Sequence, residues 1–165
     1  MKNSKTHFVE FQHLCIGKLE FLEKDFGFKV VNREEEPYGV FITYQNPTTA
    51  VRISFEPREG GAFVLLSRLV EGKVPPYPII VGENTALNSF YLDDLVALRA
   101  PSLEFSFRKT KLSSVVQIES AVNEIGAVLR KFASDILMGD FSIFKELAVI
   151  VKNRQRNIAH KRVTH

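Results

Sequence analysis

Residues 39–69 read GVFITYQNPTTAVRISFEPREGGAFVLLSRL, and this stretch decides the architecture because it divides into three strand-like runs joined by two short turns. In the middle run Val51, Ile53 and Phe55 alternate with Arg52, Ser54 and Glu56, the period of a sheet with one dry and one wet face. Asn46-Pro47-Thr48-Thr49 and Pro57-Arg58-Glu59-Gly60-Gly61 supply the turn chemistry, proline fixing φ and glycine permitting positive φ. Turns this short join antiparallel neighbours. The third run, Ala62 to Leu69, is apolar on both faces until Ser67 and Arg68, which predicts a strand covered on both sides or paired centrally.

Upstream, Phe8, Phe11, Cys15, Leu19, Leu22 and Phe26 recur at helical steps, predicting one helix from about His7 to Asp25, capped by Thr6 and ended by Gly27. The acidic run Glu34-Glu35-Glu36 before Pro37 follows neither period and is expected to be a solvated loop. Downstream, Pro75-Pro76-Tyr77-Pro78 lacks amide hydrogens and reads as an extended linker, with a single short Pro-rich recognition motif as the alternative.

Ser89 is placed to cap a short helix through Arg99, with Asp93 and Asp94 in its first turns, and Ala100-Pro101 stops it. Leu103, Phe105 and Phe107 alternate with polar neighbours and suggest a fourth strand before a loop at Arg108 to Lys111. A long helix is expected from Ser114 to Met138, ended by Gly139, and Asp140 is placed to cap a last helix through about Val151. The fold class is therefore α+β: an N-terminal helix, an antiparallel β-meander of about 3–4 strands, a short helix and a C-terminal helical hairpin, with no internal repeat.

The chain has 165 residues, 45% of them hydrophobic, which suits a single domain with a sizeable core. Its 22 basic and 19 acidic residues leave +3, too small a surplus to imply a nucleic-acid binder. The charge is unevenly placed. Residues 20–36 are locally acidic, whereas Lys152, Arg154, Arg156, Lys161 and Arg162 make residues 152–165 a basic tail, expected to be a frayed helix end and the one place for nucleic-acid contact. Cys15, the only cysteine, falls on the apolar stripe of the first helix and reads as a buried small hydrophobe, which fits a reducing compartment. The N-terminal MKNSKTHFVEFQHLC is unlike a signal peptide, and no run reaches the roughly 18–20 apolar residues that span a bilayer, so a soluble cytoplasmic protein without a membrane partner is expected.

Reactive sets are not apparent. His7, His13, His160 and His165 lie at the chain ends without ligand spacing, and neither a GxSxG elbow nor a GxxxxGK[ST] phosphate loop occurs. Asp93 and Asp94, with Glu83 near in sequence, could pair carboxylates, but adjacent helical residues diverge by about 100°, which favours a helix-dipole role. No catalytic residue, metal ligand or cofactor is assigned, and an enzyme is the less favoured reading. Arg52, Arg58 and Arg68, with Tyr44 close by, could form a patch for a phosphate, a carboxylate or an acidic protein; ordinary solubility charge among Glu56 and Glu59 is the plainer alternative.

Read together, Phe21-Leu22, Phe26-Gly27-Phe28, Val40 to Tyr44, Val51-Arg52-Ile53, Phe63-Val64-Leu65 and Tyr91-Leu92-Asp93-Asp94-Leu95 resemble small uncharacterised bacterial proteins, some of which look like immunity proteins encoded beside polymorphic toxins. The resemblance covers roughly residues 8–100 and implies a non-enzymatic protein that binds and blocks a toxin. The mild positive charge departs from the acidic character of an inhibitor of a cationic nuclease.

Two function classes follow. One is a protein-binding module, immunity-like, using the sheet face with Tyr44, Arg52, Arg58 and Arg68 or the acidic Glu34, Glu35 and Glu36. The other is a small-ligand binder or enzyme with a pocket between the sheet and the C-terminal helices, drawing on Tyr44, Arg52, Arg68 or Asp93. Self-association stays open, because 14 phenylalanines and an unpaired sheet edge would permit it.

Overall fold

The computed structural model describes residues 2–58, 61–78, 80–104 and 112–163. The elements run α1 (Lys2–Lys18), α2 (Phe21–Phe26), β1 (Lys29–Glu36), β2 (Gly39–Gln45), β3 (Thr49–Glu56), β4 (Gly61–Arg68), β5 (Ser89–Tyr91), α3 (Leu92–Arg99), α4 (Val115–Phe132), α5 (Ser134–Leu137) and α6 (Phe144–Val163). The five strands pair antiparallel in chain order β1-β2-β3-β4-β5. The architecture is α+β, with an N-terminal helix and helices at the C-terminal end as expected.

The three runs of the quoted stretch become β2, β3 and β4, with Tyr44 opposite Val51 and Ile53 opposite Val64. Val40, Ile42, Val51, Ile53, Phe55, Val64 and Leu66 form the dry face, on which α1 lays Phe8 and Phe11, the latter stacked 5.5 Å from the Phe55 ring. The third run is paired centrally, between β3 and β5, while Phe63 and Leu65 on its outer side stay half-buried.

Several boundaries differ from expectation. The N-terminal helix starts at Lys2, so Thr6 lies inside it, and it breaks after Lys18 before resuming as α2. Gly27 does end it, at φ 68°, and the Phe28 N–H reaches back 2.9 Å to the Leu22 carbonyl. Glu34, Glu35 and Glu36 are not a loop: they pair with Phe41, Val40 and Gly39 as the end of edge strand β1. An edge strand wet on both faces needs no apolar alternation, and its charges discourage further pairing. Ser89 does not cap a helix, because it belongs to β5 and donates to the Ser67 hydroxyl at 2.8 Å; three residues are too few to show a period. Of the fourth strand expected at Leu103, Phe105 and Phe107, residues 105–111 lie outside the described chain, and Leu103 and Glu104 are not in a strand.

The long helix opens on a capping box between Ser114 and Gln117 and stops at Phe132, with α5 following and Gly139 ending the run at φ 91°. The carboxylate of Asp140 accepts the Ser142 N–H at 2.9 Å, ahead of α6. α6 finds its principal helical neighbour in α3, and it continues past Val151 to Val163, so the helical part of the basic tail is longer than expected.

The turn between β2 and β3 is tied to distant backbone. Asn46 Nδ2 donates to the carbonyls of Phe26 at 3.2 Å and Leu137 at 3.1 Å, and Thr49 Oγ1 donates to Ile136 at 3.0 Å. Asn46→Ala leaves two part-buried carbonyls without these donors, and is expected to lower stability by about 2 kcal/mol in urea denaturation. A change under a few tenths would remove the turn from this role.

Arg99 joins α3 to the α4–α5 junction, donating to the Phe132 carbonyl and, through Nη1 at 2.9 Å, to Asp135. Hydrogen bonding from Arg99 holds the Asp135 carboxyl below its ordinary 3.8, so the pair's contribution is complete above that pH and is lost as pH falls through the lower folded value. Asp135→Asn is expected to cost about 1 kcal/mol at neutral pH, the difference from the parent protein closing on acidification. A pH-independent difference in chemical denaturation between pH 7 and pH 3 would contradict this account.

Candidate partner-binding face

Strand alternation turns Phe41, Ser54 and Phe63 outward in one row and Thr43, Arg52, Leu65 and Tyr91 in the next, because these residues stand opposite one another across the sheet. A third outward row, with Ala50, Ser67 and Ser89 buried, lies at the end where Gln45 Nε2 donates to the Gly72 carbonyl in the segment leaving β4. That segment brings Tyr77 back to the open rows, its ring 5.9 Å from that of Tyr91. Tyr38, from the β1–β2 turn, stands edge-on to Phe41 at 5.8 Å.

The result is a trough of about 270 Å³ walled by Tyr38, Phe41, Phe63, Leu65, Tyr77 and Tyr91, with Arg52, Ser54 and Glu56 supplying its polar groups. Three of the chain's 4 tyrosines therefore meet here, exposed by 49% (Tyr38), 40% (Tyr77) and 37% (Tyr91). No phenylalanine among the described residues is comparably exposed. Arg52 lies 4.5 Å over the Phe41 ring and pairs with Glu34 at 3.0 Å, an exposed pair worth less than about 1 kcal/mol.

Phe63, Tyr77 and Tyr91 also wall a neighbouring cavity of about 450 Å³, closed on its other side by Asp93 and Asp94 of α3 and Val151, Arg154 and Gln155 of α6. Arg154 donates to Asp94 at 2.8 Å. A third recess of about 420 Å³ lies at Val81, Gly82, Glu83, Lys152 and Arg156, where Lys152 donates to the Glu83 carbonyl at 2.6 Å and Arg156 pairs with its carboxylate. The basic residues at 152, 154 and 156 are thus engaged within the fold.

The residues expected to bind a partner are only partly gathered. Arg52 lines the trough, with Glu34 as its ion partner; Glu35 and Glu36 stand exposed on the β1 edge. Arg58 is exposed in the turn after β3 and Arg68 sits 5.6 Å over the Phe141 ring, neither lining the trough. Tyr44 is on the opposite, dry face at 4% exposure, where burial raises its hydroxyl pKa and the neighbouring Cys15 adds to the effect. A pocket between the sheet and a C-terminal helix does exist, and of the polar residues expected there only Asp93 lines it. Sequence reading gave no binding role to Tyr38, Phe41, Phe63 or Tyr91, and considered Tyr77 only within the short Pro-rich motif. Their one local signal was tyrosine at positions with no helical or strand-core reason for an aromatic, such as Tyr77 between prolines.

Among the described residues no three His, Cys, Asp or Glu side chains stand together to hold a metal ion, and no helix is long and apolar enough to cross a membrane. No family model matches the chain, and none of the curated proteins or solved structures matches it.

Cys15 is fully buried, and burial pushes its thiol pKa far above the ordinary value. It is expected to resist a disulfide reagent for hours in the native protein and react at once in denaturant. Complete labelling within minutes under native conditions would show that α1 leaves the sheet readily.

Proposed function

We propose that this chain is a non-enzymatic binding module that engages a partner protein with its outer sheet face, in the manner of an immunity protein neutralising a toxin. The observation that carries the reading is the convergence of Tyr38, Tyr77 and Tyr91, the exposed aromatic side chains among the described residues, on one trough beside Arg52. Tyrosine and arginine are the residues that most often anchor protein interfaces: a tyrosine ring offers large contact area at the entropic cost of two torsions, and its hydroxyl keeps the unbound face wettable. The half-buried Phe63 and Leu65 beneath them supply an apolar floor. Arg52 and Glu34 give the rim charges of both signs, which suits a partner with a mixed surface better than a uniformly charged one.

The small-ligand reading has one observation of its own, because 450 Å³ lies inside the range of about 300–1,000 Å³ seen for ligand sites. That cavity shares three walls with the trough and is read here as an extension of the same face.

The test is capture of the partner from the native host with the tagged chain, followed by the double substitution Tyr38→Ala/Arg52→Ala. Loss of two anchors is expected to weaken the recovered complex at least about 30-fold, at about 1 kcal/mol or more per anchor, while Arg58→Ala leaves it unchanged. An undiminished complex in the double variant, or no specific partner, overturns the proposal.

A further inference from the structure

We infer that this chain pairs with a second copy of itself through the open edge of β1, antiparallel about Glu34, joining two five-stranded sheets into one. The inference goes beyond the partner-binding reading and does not need it. β1 ends the strand order, and no strand among the described residues pairs with its outer side. Such an edge presents a row of unpaired N–H and C=O groups that can template another strand. The register slips between Val30 and Asn32, so the regular part of the edge is Asn32 to Glu36. Asn32, Arg33, Glu35 and Glu36 are exposed, so no described element covers this part on either face of the sheet.

The side chains of this segment complement themselves. The register against β2 puts Arg33 and Glu35, opposite Ile42 and Val40, on the dry side of the sheet, and Asn32, Glu34 and Glu36 on the outer side. Two antiparallel copies centred on Glu34 therefore set Arg33 of each against Glu35 of the other, and Asn32 against Glu36. Opposite charges across a ladder favour a register, and like charges directly opposite disfavour it. Moving the centre by one residue sets Arg33 or Glu35 against its own copy, and a parallel copy sets glutamates against glutamates. In the chosen register the one like-charged position is the centre, where each Glu34 carboxylate already accepts from Arg52 at 3.0 Å and from Asn32 at 2.6 Å. Arg33, Glu35 and Glu36 have no salt bridge among the described residues, so their charges are open to a neighbour. The charges that keep other strands off β1 thus admit this one. The two-fold axis stands perpendicular to the sheet, so both troughs open on the same side and the dimer is bivalent for whatever the outer face binds.

A ladder this short makes a small interface, so self-association is expected at about 10–100 µM in low salt. Sedimentation of the full chain from about 1 µM to about 1 mM reads it directly, and about 0.5 M sodium chloride should weaken it at least about fivefold. Glu35→Arg sets guanidinium groups against each other and Arg33→Glu sets carboxylates against each other, so each alone should weaken the dimer at least about tenfold. The double variant Arg33→Glu/Glu35→Arg exchanges the charges within each chain and should restore the dimer to within about threefold of the parent. Both side chains are exposed, so the variants keep the fold, and loss through misfolding would not be repaired by the second exchange. Hydrogen exchange should show amides in residues 32–36 gaining protection as concentration rises. A parent chain that stays monomeric to about 1 mM, undiminished association in Glu35→Arg, a double variant that stays monomeric, or a dimer without protection at residues 32–36 overturns the inference.

Discussion

The carboxamide of Asn46 is the point on which the fold's layers are registered. Its oxygen accepts the backbone N–H groups of Thr48 at 3.0 Å and Thr49 at 2.8 Å, which shapes the turn, while its nitrogen donates to Phe26 and Leu137. Those two carbonyls belong to the ends of α2 and α5, where helices leave acceptors without internal partners. One side chain therefore fastens the tip of the sheet to two helix ends that are remote in sequence. Thr48 adds a backbone link by accepting the Leu69 N–H at 2.8 Å. The fit leaves no room at Gly139: a side chain there would start 2.9 Å from Thr48 Oγ1, at a φ of 91° that other residues rarely adopt.

Fixing the helices on one side of the sheet determines what the other side can do. The dry face takes the phenylalanines that pack without polar atoms, Phe8 and Phe11 against Phe55 and Phe90 against Phe144. The outer face takes tyrosines at the rim, where the hydroxyl is hydrated and the ring covers apolar neighbours. Tyr44 is the exception that shows the cost of the reverse arrangement, its hydroxyl buried and without a hydrogen bond among the described residues. The outer face is thus mixed, with Phe41 and Phe63 below the tyrosines at the rim, while the dry face packs phenylalanine and aliphatic side chains.

How much of this could be read beforehand depended on whether the signal was local. The meander was legible because Val51, Ile53 and Phe55 repeat with a period that only a half-buried strand needs. β1 was not, since both its faces are wet and Glu34 to Glu36 carry no pattern; neither was β5, with only Ser89 to Tyr91 to show one. The trough was illegible for a different reason. Tyr38 comes from a turn, Tyr77 from a connecting segment and Tyr91 from a short strand, and only the register Arg52–Leu65–Tyr91 brings the strand residues abreast. The basic tail was correctly read as positively charged, but its partners Asp94 and Glu83 lie 60 and 73 residues away, beyond any local rule.

The walls of the trough are not held equally. Tyr91 is carried by a paired strand and Tyr38 by a turn between paired strands, so the ladder positions both. Tyr77 belongs to the connection between β4 and β5, whose ties include the Gln45 bond to Gly72 and the contacts of Glu83 with Lys152 and Arg156, at least one member of each being solvent-accessible. Exposed ties of this kind are worth about 1 kcal/mol or less apiece and weaken with salt. The face thus combines two aromatic walls set by the sheet with one set by weak contacts to α6. Because α6 also carries Arg154, the helix that holds the connection in place is the one that fills the carboxylate of Asp94.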